Sequence, residues 1–267
     1  MNPWEQRFGG IERLYGKEAA KRIRGAHVCV VGIGGVGSWT TEALARSGVE
    51  RITLVDMDEV CVTNINRQVE AIQVEIGQPK VEAMKRRIEN INPNCCVEPK
   101  ASFFTESTAK EILAEPYDVV VDAIDRLQAK CLLLSLTRQM GVKIISTGAA
   151  GGRIDTFQIR TADLSRAHHD RLLQKVRKQL RTTHGFPRDH KKPFGIPCVF
   201  SPESTQHPAH FKEHCDTDSE KDISDHQGCA DGYGSVTHVT GAFGFAAASI
   251  AIRMITQSII ECQEGMG

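Results

Sequence analysis

A doubly wound α/β fold, a Rossmann-like and mostly parallel sheet with helices on both faces, is what three features of the sequence predict. Short apolar runs alternate with longer amphipathic segments over residues 25–148. One of these runs breaks into a glycine-rich turn that opens a helix, and the next two end in aspartate. Loops at the carboxyl ends of adjacent parallel strands converge on one crevice, so residues of these loops share a site. The 267 residues, 40% hydrophobic, 25% charged and 6% aromatic, suffice for one large domain or one with a small appendage. This composition excludes disorder, collagen and coiled coil as descriptions of the whole chain.

Taken in order, a helical arm is expected over residues 1–24. His27 to Val31 reads as a strand, broken by Gly32-Ile33-Gly34-Gly35-Val36-Gly37 before a helix from Ser38 to Ser47 that closes on Gly48. Arg51 to Val55 is a second strand, Tyr117 to Val121 a third, and a helix opening at Pro79 runs to about Asn90 between them. Lys143 to Thr147 is another strand. Beyond Gly148-Ala149-Ala150-Gly151-Gly152 the alternation stops, and Arg153 to Arg160 suggests an antiparallel strand that extends the sheet. A basic helix from about Ser165 to Leu180 precedes a His- and Pro-containing excursion over residues 181–232, and a last helix, about Val236 to Ile260, returns to the core. Its apolar stretch, Val239 to Ile252, lies between His238 and Arg253 and is shorter than the roughly 20 residues of a membrane span, so a buried helix or subunit interface is expected. The resulting division is residues 1–24, 25–160 and 161–267 within one compact unit.

Lys+Arg and Asp+Glu both count 33, so no whole-molecule field draws the chain to nucleic acid or membrane. Charge is instead segregated. Arg166 to Lys192 holds nine Lys/Arg against two acids, whereas Glu203 to Asp225 holds seven acids against two Lys. Nine Cys with no CxxC pair and no charged-then-apolar leader point to a reducing, cytoplasmic setting.

The G-x-G-x-x-G spacing at Gly32, Gly34 and Gly37 follows a strand and opens a helix, the context in which backbone N–H groups and the helix dipole hold a phosphate. Asp56 ends the next strand, placed for ribose hydroxyls, and on these features alone a dinucleotide is the first candidate. The residues beyond Asp56 suit a triphosphate better. Asp58, Asn64, Arg67 and Gln68 cluster after that strand, Lys80 stands at the mouth of the next helix, and Asp125 lies just past the third strand. Cations, an amide and carboxylates around a phosphate turn are what a triphosphate with Mg²⁺ requires, since they offset charge that builds on departing pyrophosphate.

Val30 to Ser38, Leu54 to Asp58, Thr63 to Gln68, Gly77 to Lys80 and Asp122 to Asp125 together resemble the ThiF/MoeB superfamily of ubiquitin-activating-enzyme-like adenylyltransferases. The resemblance implies that Gly35, with Gly32, Gly34 and Gly37, lies against the nucleotide and that Asp56 binds ribose. It implies further that Asn64, Arg67 and Lys80 bind the triphosphate, with Asp58 and Gln68 beside them, and that Asp125 holds Mg²⁺. Arg7 to Gly10, Arg13 to Gly16, Gly35 to Trp39, Val60 to Asn64 and Pro197 to Ser201 resemble a branch of this superfamily that acts on tRNA, over almost the whole chain.

That branch implies adenylation of the carboxylate of threonylcarbamoyladenosine in tRNA, followed by ring closure with loss of water. It also implies a homodimer, with a sulfur-relay protein and a monovalent cation as further candidates. Two positions depart from the superfamily pattern. Gly10 stands where relatives carry an arginine that enters the partner's ATP site, leaving Arg7 or Arg13 to substitute, and Asp125-Arg126 replaces Asp-Asn.

Without CxxC pairs no zinc is expected, and His207, His210, His214 and Cys215 read as a polar loop. Cys198 and Cys229 are candidate nucleophiles, Cys198 because it lies in the branch-like stretch. For a polyanionic substrate the basic run offers Lys175, Arg177, Lys178 and Arg181, with Phe186 and Phe194 to stack on splayed bases. The rival functions are activation of a ubiquitin-like or sulfur-carrier protein, a nucleotide-binding scaffold without chemistry, and an NAD-binding protein.

Overall fold

The structure, a computed structural model, describes residues 3–206 and 234–264. Helices α1 (Pro3–Tyr15) and α2 (Lys17–Gly25) precede β1 (His27–Val31), α3 (Gly35–Arg46), β2 (Arg51–Val55), α4 (Lys80–Ile91), β3 (Cys96–Lys100) and α5 (Glu106–Ile112). Then come β4 (Val119–Asp122), α6 (Leu127–Met140), β5 (Ile144–Thr147), β6 (Arg160–Asp163), α7 (Arg171–Thr183), β7 (Pro197–Phe200) and α8 (Thr237–Glu264). The sheet order is β3-β2-β1-β4-β5-β7-β6, parallel except that β6 runs antiparallel to β7. Strand order reverses direction between β1 and β4, where α/β sheets open a crevice at the carboxyl ends of their strands.

Both faces of the sheet are covered, which explains why its central strands read as unbroken apolar runs. All five residues of β1 are buried. Val28 and Val30 point into a core with Leu44 of α3, Met84 of α4 and Phe243 of α8. Cys29 and Val31 point the other way, into a core with Ile112 of α5, Leu134 of α6 and Val176 of α7. Burial of each such large aliphatic side chain contributes about 1.5–3 kcal/mol before the entropy of ordering is counted. The apolar length of α8 is therefore that of a core helix: Thr237–Thr256 is long and apolar enough to cross a membrane, but most of it is buried inside the protein.

The structure departs from the sequence expectations at several elements. β3 carries Glu98 and Pro99 and forms one edge of the sheet, where a missing N–H is tolerated and half-exposed residues blur the apolar signal. The antiparallel strand is Arg160–Asp163 and not Arg153 to Arg160, because Asp155 accepts from Phe157 N and folds the preceding residues into a turn. α7 starts at Arg171, where Asp170 caps it by accepting from Leu173 N, rather than at Ser165. β7 lies inside the stretch read as an excursion and inserts between β5 and β6. The start of α3 is Gly35, three residues ahead of expectation.

Candidate nucleotide-binding crevice

The glycine turn joins β1 to α3 at the point where strand order reverses. Gly32 adopts φ 93°, and its N–H donates to Val55 O at 2.8 Å, tying the turn to the end of β2. A Cβ on Gly37 would lie 1.8 Å from Gly32 O, so no side chain fits there while the turn keeps this shape. Gly34 is the N-cap of α3 and has no capping side chain, so the helix presents its first N–H groups and positive dipole end to the crevice. A Cβ on Gly35 would sit 3.6 Å from Arg67 Cδ, which places the Arg67 side chain over this helix start.

Asp56 organises the same corner. Its carboxylate accepts from Ile33 N at 2.6 Å and from Asp58 N at 2.8 Å. Burial pushes Asp56 above the usual carboxylate range, against the pull of Lys80 and these two N–H groups. Lys80 is only 6% exposed and donates to Asp58 Oδ2 at 2.8 Å. Burial alone would depress its ammonium, but Asp56, Asp58 and Glu70 outweigh that and hold it above the ordinary lysine value. The lysine therefore stays charged through the neutral range, as a phosphate ligand must.

Loop residues 61–68 bring the remaining groups in. Asn64 is buried, and its Oδ1 accepts from Cys61 N at 3.0 Å, so its carbonyl oxygen is committed to shaping the loop. Arg67 is half-buried, with Nη1 donating to Thr63 O at 2.7 Å and Asn66 Oδ1 at 3.1 Å, while its own carbonyl accepts from Trp39 and Thr240. Gln68 is buried, with Oε1 unpartnered.

On the other side of the turn, Asp125 is exposed in the loop after β4. Beneath that loop lies a pair that sequence reasoning missed. Lys130 Nζ donates to Asp122 Oδ2 at 2.8 Å and to Ile124 O at 2.9 Å, and Ser146 Oγ donates to the same Asp122 oxygen at 2.7 Å. Both charged residues are fully buried. A lysine in the apolar sequence Lys130 to Leu136, coming after a buried strand that ends in aspartate, was the available signal.

Glu70 was also missed. It is 2% exposed, both its oxygens lack partners, and burial pushes it up to about 8. Between the ordinary carboxylate value and about 8 the folded state thus holds a proton that the unfolded state has released. Stability must fall as pH rises through that window, by up to about 1.4 kcal/mol per unit. Glu70→Gln, neutral at every pH, is expected to flatten the decline. Chemical denaturation at pH 6 and 8 checks this, and equal slopes for wild type and variant would refute it.

Other predicted residues lie elsewhere. Arg7 and Arg13 are exposed on α1, whose Trp4 donates to Gly48 O at the end of α3 opposite the glycine turn. Cys198 is fully buried on β7 and burial pushes its thiol far above the usual range, which corrects its reading as an accessible nucleophile. Phe186 and Phe194 are buried edge to face against each other, under Arg138 and Arg181, and are not available to stack on a base. Lys175 and Lys178 are exposed on α7, while Arg177 and Arg181 are half-buried and Arg181 Nε donates to Pro187 O. His207, His210, His214, Cys215 and Cys229 lie outside the described residues. Among the described residues no group of three or more His, Cys, Asp or Glu is arranged to hold a metal.

The arrangement offers an uncapped helix start, two cations and a separate exposed carboxylate at one sheet edge, a chemistry suited to a nucleoside triphosphate. Comparisons with known proteins agree. A tRNA threonylcarbamoyladenosine dehydratase from Escherichia coli (strain K12) is 42% identical over 250 residues, covering 94% of this chain and 93% of that protein. One from Haemophilus influenzae is 44% identical over 252 residues, covering 94% of each. The crystal structure of the E. coli dehydratase in complex with ATP superposes with a TM-score of 0.86 at 39% identity, covering 98% of both chains. The ThiF family model matches residues 10–265, and the chain belongs to the ThiF family.

Proposed function

We propose that the protein dehydrates threonylcarbamoyladenosine in tRNA at the expense of ATP. One carboxylate oxygen of the threonyl group attacks the α-phosphorus of ATP, the α–β bridging bond breaks, and pyrophosphate departs. A nitrogen or oxygen of the same modified nucleoside then attacks the activated carbonyl and releases AMP, closing a ring with net loss of one water.

In this reading the start of α3 and Gly35 face the phosphates, and Asp56 takes the ribose. Arg67 and Lys80 bind the triphosphate and offset the charge that develops on pyrophosphate. Asn64 and Gln68 line the phosphate side, and Asp58 orients Lys80. Asp125 is a single exposed carboxylate, which suits Mg²⁺ taking its other ligands from phosphate oxygens and water. Bound there, the ion would supply further charge neutralisation. Two copies are taken to pair in the cytoplasm, with Arg7 or Arg13 of one protomer serving the crevice of the other.

The observation that carries the reading is coverage. Similarity to the dehydratases extends over 94% of the chain, through α7 and β7. Similarity to a sulfur carrier protein adenylyltransferase from Thermus thermophilus, 36% identical, covers 49% of it. The dehydratases thus match nearly all of the molecule and the carrier-protein adenylyltransferase about half of it. The test is to incubate the protein with ATP, Mg²⁺ and tRNA bearing threonylcarbamoyladenosine, and to weigh the nucleoside. Loss of one water supports the proposal; an unchanged mass, or AMP formed only with a carrier protein, removes it.

The exposed lysines of the basic region, Lys175, Lys178, Lys191 and Lys192, are assigned to phosphates of the tRNA. Changing all four to Gln is expected to weaken tRNA binding and to flatten its salt dependence by about 0.7–0.9 in log–log slope for each phosphate no longer neutralised. An unaltered slope would show that tRNA does not use this face.

A further inference from the structure

The turn between β5 and β6 presents the most exposed large hydrophobic side chain among the described residues. Phe157 is 90% exposed, and Ile154 beside it is 63% exposed. The backbone beneath is firmly held. Glu203 accepts from Ile154 N and Asp155 N, Asp155 accepts from Phe157 N at 2.9 Å and Gln158 Nε2 at 3.0 Å, and Arg160 Nη1 donates to Phe157 O at 3.3 Å. The ring thus stands in water on a fixed base, where binding costs little backbone entropy.

Position narrows what the ring meets. His238 Nε2 donates to Ile154 O at 3.1 Å and Gly152 N donates to Gly234 O at 2.7 Å, which docks the turn on the start of α8. That same helix start holds the Arg67 loop, through Thr237 on Asn66 O and Thr240 on Arg67 O. Asp155 in the turn and Glu203 after β7 accept from N–H groups of the turn, Arg160 and His238 are exposed, and Arg153 lies buried with Nε and Nη1 unpartnered. Arg160, bonded to the Phe157 carbonyl and exposed, sets one cation beside the ring for a backbone phosphate.

We propose that Phe157 is a stacking platform for a base of the RNA substrate adjacent to the nucleotide that reacts, an inference that rests on the function proposed above. To bring its carboxylate to ATP in the crevice, the reacting nucleotide must be drawn out of its stack, and a neighbouring base loses a partner. A rigid aromatic ring beside the crevice replaces that partner, and stacking of this kind tolerates any base.

The test uses the full-length protein with tRNA bearing threonylcarbamoyladenosine. Phe157→Ala should raise KM for tRNA about tenfold with KM for ATP unchanged, and Phe157→Tyr should restore it. Phe157→Trp should give indole fluorescence that tRNA quenches beyond the wild-type response and ATP does not. Stacking is overturned if Phe157→Ala keeps KM for tRNA within twofold, or if the new indole ignores tRNA. A smaller species for Phe157→Ala in sedimentation would assign the ring to a contact between copies and overturn it equally. Wild type that leaves tRNA unchanged removes the proposed function together with this inference, whereas normal turnover by wild type and an insensitive Phe157→Ala removes stacking alone.

Discussion

Lys80→Met is expected to lower AMP formation by about 10²–10³-fold, the usual cost of removing one preorganised charge from a site of anion development. The effect belongs mainly to kcat, because charge accumulates on pyrophosphate as the α–β bond breaks. Lys80 is buried between Asp56, Asp58 and Glu70, so its removal also leaves these acids without their cation. A stability loss is expected alongside, and activity must be measured on protein shown to be folded. Arg67→Ala separates the two effects, since Arg67 is half-buried and its guanidinium, among the described residues, donates to loop oxygens. It should lose activity with little change in stability. AMP formation within tenfold of wild type in folded Lys80→Met protein would remove the lysine from the mechanism.

Lys130→Met is expected to cost about 3–5 kcal/mol of stability, because it leaves Asp122 charged in a site with no access to water. Asp122 already sits above the usual carboxylate range, pushed there by burial and pulled back chiefly by Lys130. Replacing both residues, as Lys130→Met with Asp122→Asn, should recover most of the loss, since the penalty is that of an unpaired charge and not of a missing attraction. Denaturant unfolding of the single and double variants measures this. A single variant within about 1 kcal/mol of wild type would mean that the pair does not hold the β4 loop.

The central strands and the crevice were readable from sequence for one reason: their residues answer to local rules. β1 and β4 are buried on both faces and so spell continuous apolar runs, and the glycine turn must be glycine where a Cβ would strike Gly32 O. Asp56, Arg67, Lys80 and Asp125 come after these elements at short range, so topology carries them to one edge. The features that stayed hidden depend on distant partners. β7 enters the sheet between β5 and β6 through pairing that no local pattern announces. Phe186 and Phe194 are ordinary aromatics until their mutual packing removes them from the surface. Arg153 to Arg160 alternates like a strand, yet Asp155 and Glu203 capture its N–H groups as a turn. Glu70 looks like a solvated charge, and only the packing around it shows otherwise.

Attack by the substrate's own carboxylate on the α-phosphorus of ATP is the step on which the proposed chemistry rests, and heavy oxygen traces that atom directly. The tRNA nucleoside would carry a carboxylate labelled with heavy oxygen, and the AMP released in a single turnover would be weighed. Adenylation and then ring closure leave one carboxylate oxygen on the phosphate of AMP, so AMP should carry label in step with ring formation. Unlabelled AMP alongside cyclised nucleoside, or release of ADP in place of AMP and pyrophosphate, would contradict it.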